Sequence, residues 1–170
     1  MRPSSRIAAA ALLSVIAAAW GSADAQSVSP IAGTWTLVAA DVLHADGTRT
    51  ADYGASPKGL LMVDATGRYS LQIFRSERPR FASGDRLTGT AAEYQAAVTG
   101  SSTHFGRMSV DTVSQVITVD IDGASFPNQE GTQQKRAYVL KGDELSYTVP
   151  ARPDGNRPVT VWRRVARPTR

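Results

Sequence analysis

The chain has 170 residues, a net charge of +4, no Cys and only two His, His44 and His104. That inventory excludes disulfide bonds, Cys-based metal centres and a multi-His zinc site, so packing alone must hold the fold. Set aside a leader and the rest is the size of one domain with one core.

The leader comes first along the chain. Arg2 and Arg6 precede the apolar run Ile7 to Trp20, and Ala23-Asp24-Ala25 has the small-x-small form of a cleavage site. The pattern predicts a secretory signal peptide over residues 1–25, removed after Ala25. Its apolar run of about 14 residues is short of the roughly 20 that span a bilayer. No Cys follows it, which excludes lipid attachment through a mature N-terminal Cys. No second apolar run follows either, so we expect no transmembrane segment after signal removal and a soluble periplasmic or secreted product. Arg2, Arg6 and Asp24 carry +1, leaving +3 on the exported chain. Much of that sits at Arg152, Arg157, Arg163, Arg164, Arg167 and Arg170. Such a run is expected to be solvated, with residues 167–170 as a basic tail and no nucleic-acid role.

Residues 26–166 read as short strands separated by turn signals every 8 to 12 residues or so, the rhythm of a sandwich or barrel. Thr34 to Leu43 is the first strand, ended by the hairpin signal Asp46-Gly47. Gly59 to Val63 follows, then the turn Ala65-Thr66-Gly67 and a strand over Arg68 to Phe74. Residues 75–89, RSERPRFASGDRLTG, break the pattern. Thr90-Ala91-Ala92-Glu93 is a capping box and predicts a helix over Ala91 to Val98, ended by Gly100. Strands resume at Thr103 to Val110 and Val116 to Ile121, with Gly123 as a breaker. Thr132 to Leu140, Glu144 to Val149 and Val159 to Val165 complete the set. The expected fold is all-β, an antiparallel barrel of eight to nine strands with one short helix, since closure removes exposed edges.

Strand alternation gives candidate pocket residues. Gln134, Arg136 and Tyr138 share one face. An inward Arg136 needs an anionic partner, either a ligand or a structural ion pair with Asp41 or Asp85. His104 shares a face with Met108 and Val110 and is a wall residue or an acid–base group. Tyr147 shares a row with Leu145. On the strand from Arg68, Ser70 and Gln72 oppose Tyr69, Leu71 and Ile73, and either row is a candidate lining. Gln72 is taken as a pocket residue on this ground. The 75–89 loop and its helix are either a lid over the open end, with Phe81 and Tyr94 facing the cavity, or a plug that fills that end. No nucleophile–base motif, P-loop or metal signature is present, and we expect neither cofactor nor metal.

The blocks GTWTLVAADV, YGASPKGLLMV, GRYSLQI, RPRFASGD, EYQAAV, HFGRMSV and FPNQEGTQQKRAYVLKGDELSYTVP, closed by VTVWRRV, follow one another as they do in bacterial lipocalin-like domain proteins. The chain resembles that family over about residues 30–166. The resemblance implies a calycin-like barrel and leaves the chemistry open. It also implies that the Trp of Gly33-Thr34-Trp35 lies across the closed end, under a basic residue of the last strand. Alternation places Arg164 on the face of Trp162 and favours it over Arg163. Gly33, Trp35 and Arg164 are therefore expected to be structural closure residues.

The leading expectation is a barrel binding a small, partly apolar, anionic ligand. The alternatives are an isomerase or cyclase using His104 and a Tyr, or a protein-binding barrel with a filled core. The sequence assigns no oligomeric state.

Overall fold

A computed structural model describes residues 29–166. The expected leader over residues 1–25 and the basic tail over residues 167–170 lie outside the described residues. Nine strands run in chain order: β1 (Gly33–Leu43), β2 (Arg49–Thr50), β3 (Lys58–Val63), β4 (Arg68–Phe74), β5 (Ser101–Asp111), β6 (Val116–Ala124), β7 (Gln133–Lys141), β8 (Glu144–Thr148) and β9 (Arg157–Arg164). One helix, α1 (Ala91–Thr99), lies between β4 and β5, and a short 3-10 turn (Pro127–Gln129) follows β6.

All pairings are antiparallel. Each strand from β3 onward bonds to the next, β1 bonds to β3, and β9 returns to bond β1. Eight strands thus close a barrel. The two residues of β2 pair only with the far end of β1, completing the hairpin at Asp46-Gly47. Closure leaves no long exposed edge, as an all-β chain without disulfides requires.

Period-two alternation sets the two faces. On β4, Tyr69, Leu71 and Ile73 are buried while Arg68, Ser70, Gln72 and Phe74 are not. On β6, Ile117, Val119 and Ile121 point in. The core formed by these rows includes Trp35, Leu61, Val63, Met108, Leu145 and Trp162.

Two glycines on β5 and β6 depart from expectation for related reasons. Gly123 does not break β6. The exposed Phe105 ring of β5 lies where a Cβ at position 123 would stand, so pairing continues to Ala124. A bulge at this point leaves Asp122 unpaired between the Phe105–Gly123 and Gly106–Ile121 pairs. Gly106 carries it at φ +156°, and a Cβ there would collide with the backbone oxygen of Asp120.

The closed end is sealed as the resemblance implies. Trp35 and Arg164 face each other across the β1–β9 seam. The Arg164 guanidinium sits 4.0 Å from the Trp35 ring centroid. Its two terminal nitrogens donate to the carbonyls of Ala32 (2.6 Å) and Pro30 (2.9 Å). The Trp35 indole N–H donates to Ile31 O at 2.9 Å. Gly33 has φ +136°, and a Cβ there would come within 3.0 Å of Arg164 Nη1. The Gly of Gly-x-Trp thus gives the arginine its path across the barrel floor.

Candidate functional site

Opposite the sealed end, the barrel holds a cavity of about 460 Å³. Inward rows of five strands wall it: Ala40 of β1, Leu71 and Ile73 of β4, His104 of β5, Gln134 and Arg136 of β7, and Tyr147 of β8. Thr160 of β9 joins them. Phe126, Val149, Pro150 and Pro158 stand at the mouth with Val98 and Thr99, the last two residues of α1.

Arg136 is the central feature. It is only 3% exposed. Its Nε and Nη2 both donate to Gln134 Oε1, at 3.3 and 2.7 Å, and its guanidinium carbon lies 5.2 Å from the centre of the Tyr147 ring. Tyr147 in turn stacks on Trp162 across the β8–β9 pair at 6.5 Å. Arginine, tyrosine and tryptophan therefore form one pile across three strands.

No carboxylate neutralises Arg136 among the described residues. The expected ion pair with Asp41 or Asp85 does not form. Asp41 is taken by Arg49 at 2.6 Å, and Asp85 caps its own turn through Leu87 N. A buried cation without an anion costs stability that a folded chain offsets elsewhere, most simply at a binding site.

His104 lies beside this group, 6% exposed. Its Nδ1 is 2.7 Å from the Tyr69 hydroxyl, with the rings edge to face at 5.4 Å. Burial, with Arg136 nearby, pushes the imidazole down from 6.5 to about 3, so it is neutral at any physiological pH. Burial raises the Tyr69 hydroxyl, which keeps its proton. The Tyr69 hydroxyl and His104 Nδ1 share one hydrogen bond, and the tautomer of the imidazole sets which of the two donates. The Tyr147 hydroxyl is buried with no partner among the described residues. The inner end thus sets a neutral imidazole and a tyrosine ring beside a fixed positive charge.

Of the residues expected in the pocket, His104, Gln134, Arg136 and Tyr147 line the cavity. Met108 and Tyr138 point inward but lie in the packed core, not on the cavity wall. Gln72 is on the outer face, because the apolar Tyr69–Leu71–Ile73 row takes the interior. Tyr94 does not face the cavity. It is 39% exposed, packs edge to face on Phe81 and donates its hydroxyl to Arg86 O. Phe81 is turned the same way, so the loop's aromatics brace the loop itself. Alternation leaves Tyr69 in one of two candidate rows on its strand and does not mark Thr160. Leu71 opposes His104 in the register, so Tyr69 is a diagonal neighbour of His104.

The mouth carries its own charge set. Asp52 lies between Arg75 (3.8 Å) and Arg152 (3.5 Å), and Arg75 stands over the Tyr53 ring. Among the described residues no group of three or more His, Asp or Glu is arranged to hold a metal, and no helix is long and apolar enough to cross a membrane.

Comparison with known proteins bears on this site. The sequence profile of the lipocalin-like domain matches residues 32–165, nearly all of the described chain. The chain belongs to the lipocalin-like domain family. A fungal relative, the 4′-hydroxy-3′-methoxypropiophenone carrier protein ppsC of Aspergillus oryzae (strain ATCC 42149 / RIB 40), is 29% identical over 110 residues. The match covers 59% of this chain and 99% of that protein. A lipocalin-like barrel that keeps an internal space beside an uncompensated arginine has the form of a small-molecule site.

Proposed function

We propose that this lipocalin-like barrel is a carrier for a small, partly apolar ligand with an anionic oxygen, held in the cavity with that oxygen at Arg136. The observation that carries the reading is the buried Arg136, fixed by Gln134 and Tyr147 and lacking a carboxylate, at the inner end of an apolar-walled space. The fungal relative's name adds support, since it describes a carrier of a phenolic aryl ketone.

The neutral His104 favours a carrier over an isomerase or cyclase. A conjugate acid near 3 makes the imidazole a weak proton acceptor and a serviceable hydrogen-bond donor. The test is isothermal titration of the purified protein against aryl carboxylates and hydroxyaryl ketones, with solvent extraction for any co-purifying molecule. Charge-assisted hydrogen bonds contribute about 1.5–3 kcal/mol, so Arg136→Met should weaken binding on the order of tenfold to a hundredfold. Unchanged affinity in that variant removes Arg136 from the site.

The leader pattern of residues 1–25 supports export to the periplasm or medium as part of this reading. N-terminal sequencing of the processed protein should begin at Gln26. A chain starting at Met1 overturns the export reading and leaves the binding proposal standing.

A further inference from the structure

Two arginines from opposite walls of the barrel meet on one carboxylate at the cavity mouth. Around the closed ring, β4 is separated from β8 by β5, β6 and β7 on one side and by β3, β1 and β9 on the other. The two strands therefore face each other across the lumen. Arg75 follows β4 directly, and Arg152 lies in the loop after β8. Both reach Asp52, at 3.8 and 3.5 Å. Arg75, Asp52 and Arg152 form a charged bar laid across the opening.

Asp52 belongs to the segment between β2 and β3, and its neighbour Tyr53 is part of the cavity wall. The Tyr53 N–H donates to Ala40 O of β1 at 3.1 Å, and Ser76 N–H donates to Tyr53 O at 2.8 Å. The Tyr53 hydroxyl lies beside the Ser102 side chain of β5. This one residue thus reaches from β1 to β5 over the open ends of β3 and β4. Its ring carries the Arg75 guanidinium 5.5 Å from its centre. The two arginine posts are held without the bar. Arg75 N–H donates to Gly100 O. Arg152 N–H donates to Asn156 O, and Asn156 is fixed in turn by Asp154 and His44. The contacts to Asp52 are longer than the roughly 2.7–2.9 Å of a tight charge-assisted hydrogen bond. All three side chains are partly exposed, so salt weakens the bar. The Asp41–Arg49 pair is the contrast, since both residues belong to the β1–β2 hairpin and bridge nothing.

We propose that this bar is the gate of the cavity: Asp52 holds the Tyr53 segment over the mouth, and a ligand passes when Asp52 releases an arginine. This rests on the carrier reading above. The gate must open for entry and for exit alike, so it sets the speed of exchange and leaves the affinity little changed.

Stopped-flow fluorescence with N-phenyl-1-naphthylamine tests it, because this dye is uncharged and salt then acts on the gate alone. Its sulfonate analogue, 1-anilinonaphthalene-8-sulfonate, is titrated beside it at equilibrium as an anionic probe. Raising NaCl from about 0.01 to 1 M shortens the Debye length from about 30 to 3 Å. In the wild type this should speed association and dissociation of the uncharged dye together. Asp52→Asn should exchange about threefold to tenfold faster at low salt and lose the salt dependence. Arg152→Gln should move the same way, and Arg49→Gln should behave as the wild type. Amide hydrogen exchange at Tyr53 and Ser76 reads the opening without any ligand and should rise in Asp52→Asn by a similar factor. Dye rates in Asp52→Asn at or below the wild-type values overturn the gate, while dye binding in the same traces keeps the carrier reading. Faster amide exchange with unchanged dye rates makes the bar a brace for its loop and also overturns the gate. Failure of both dyes to bind overturns the carrier reading and the gate with it.

Discussion

Arg136 is a cation buried against a phenol ring and an amide oxygen, with no carboxylate paired to it among the described residues. That arrangement predicts a trade of stability for affinity. Replacing a buried unpaired charge with an apolar side chain of similar volume is neutral or stabilising. Arg136→Met should therefore raise the unfolding free energy by about 1 kcal/mol in urea titrations while weakening ligand binding. A loss of several kcal/mol would make Arg136 a structural keystone instead. His104 gives a second prediction. Its imidazole is depressed to about 3 in the fold and titrates near 6.5 unfolded, so the unfolded chain binds the extra proton in between. Stability is fully present above about pH 6.5 and falls as pH drops toward 3, by up to ~1.4 kcal/mol per pH unit. Denaturant titrations between pH 6.5 and 5 should show this slope, and His104→Gln should flatten it. The sequence revealed both residues through strand alternation, because a polar side chain in an apolar row stands out. It placed Tyr69 in one of two candidate rows but did not reveal its contact with His104, which depends on a cross-strand diagonal.

At the scale of elements, α1 and the irregular segment before it act as one unit. Glu93 accepts from Thr90 N to complete the capping box and also from Ala82 N, eleven residues back. Tyr94 ties Gly89 and Arg86 to the helix through its hydroxyl. Glu93→Ala should raise amide hydrogen exchange at Ala82 and Thr90 about tenfold or more and leave the strand amides unchanged. Equal protection in the variant would show that the loop is held by other contacts. The capping box was legible because its four residues are consecutive. The facing of Tyr94 and Phe81 was not, since α1 has no buried side chain and no apolar stripe to fix its rotation. On β4 the row Tyr69, Leu71 and Ile73 turned inward over Ser70 and Gln72 by plain hydrophobicity. The cavity's polar groups come from tyrosine, histidine and arginine within such rows, not from a separate polar row.

The molecule as a whole depends on one seam. Trp35 and Arg164 are 129 positions apart in sequence and opposite each other across β1 and β9. The contact combines a cation–π interaction of about 0.5–2 kcal/mol with two hydrogen bonds to the carbonyls of residues 30 and 32. Trp35 is fully buried, so Trp35→Ala should cost about 3–5 kcal/mol and Arg164→Met about 1–3 kcal/mol in thermal or denaturant unfolding. Closure was legible because turn spacing gave the strand count, the family resemblance implied the pairing of Trp35 with a basic residue of the last strand, and alternation favoured Arg164. Whether the barrel was hollow was not, since a free volume is the difference between wall spacing and side-chain size summed over many residues. The core fills the sealed half and leaves the other half open.

The binding proposal makes this open half a cavity for a ligand anchored at Arg136. Intermolecular NOEs between the ring protons of bound 4′-hydroxyacetophenone and protein methyl groups locate the ligand. Contacts to Leu71 and Ile73, lost or weakened in Arg136→Met, are the predicted result. Contacts only to outward-facing methyls such as Val139 or Met62, with Leu71 and Ile73 silent at saturation, would contradict it.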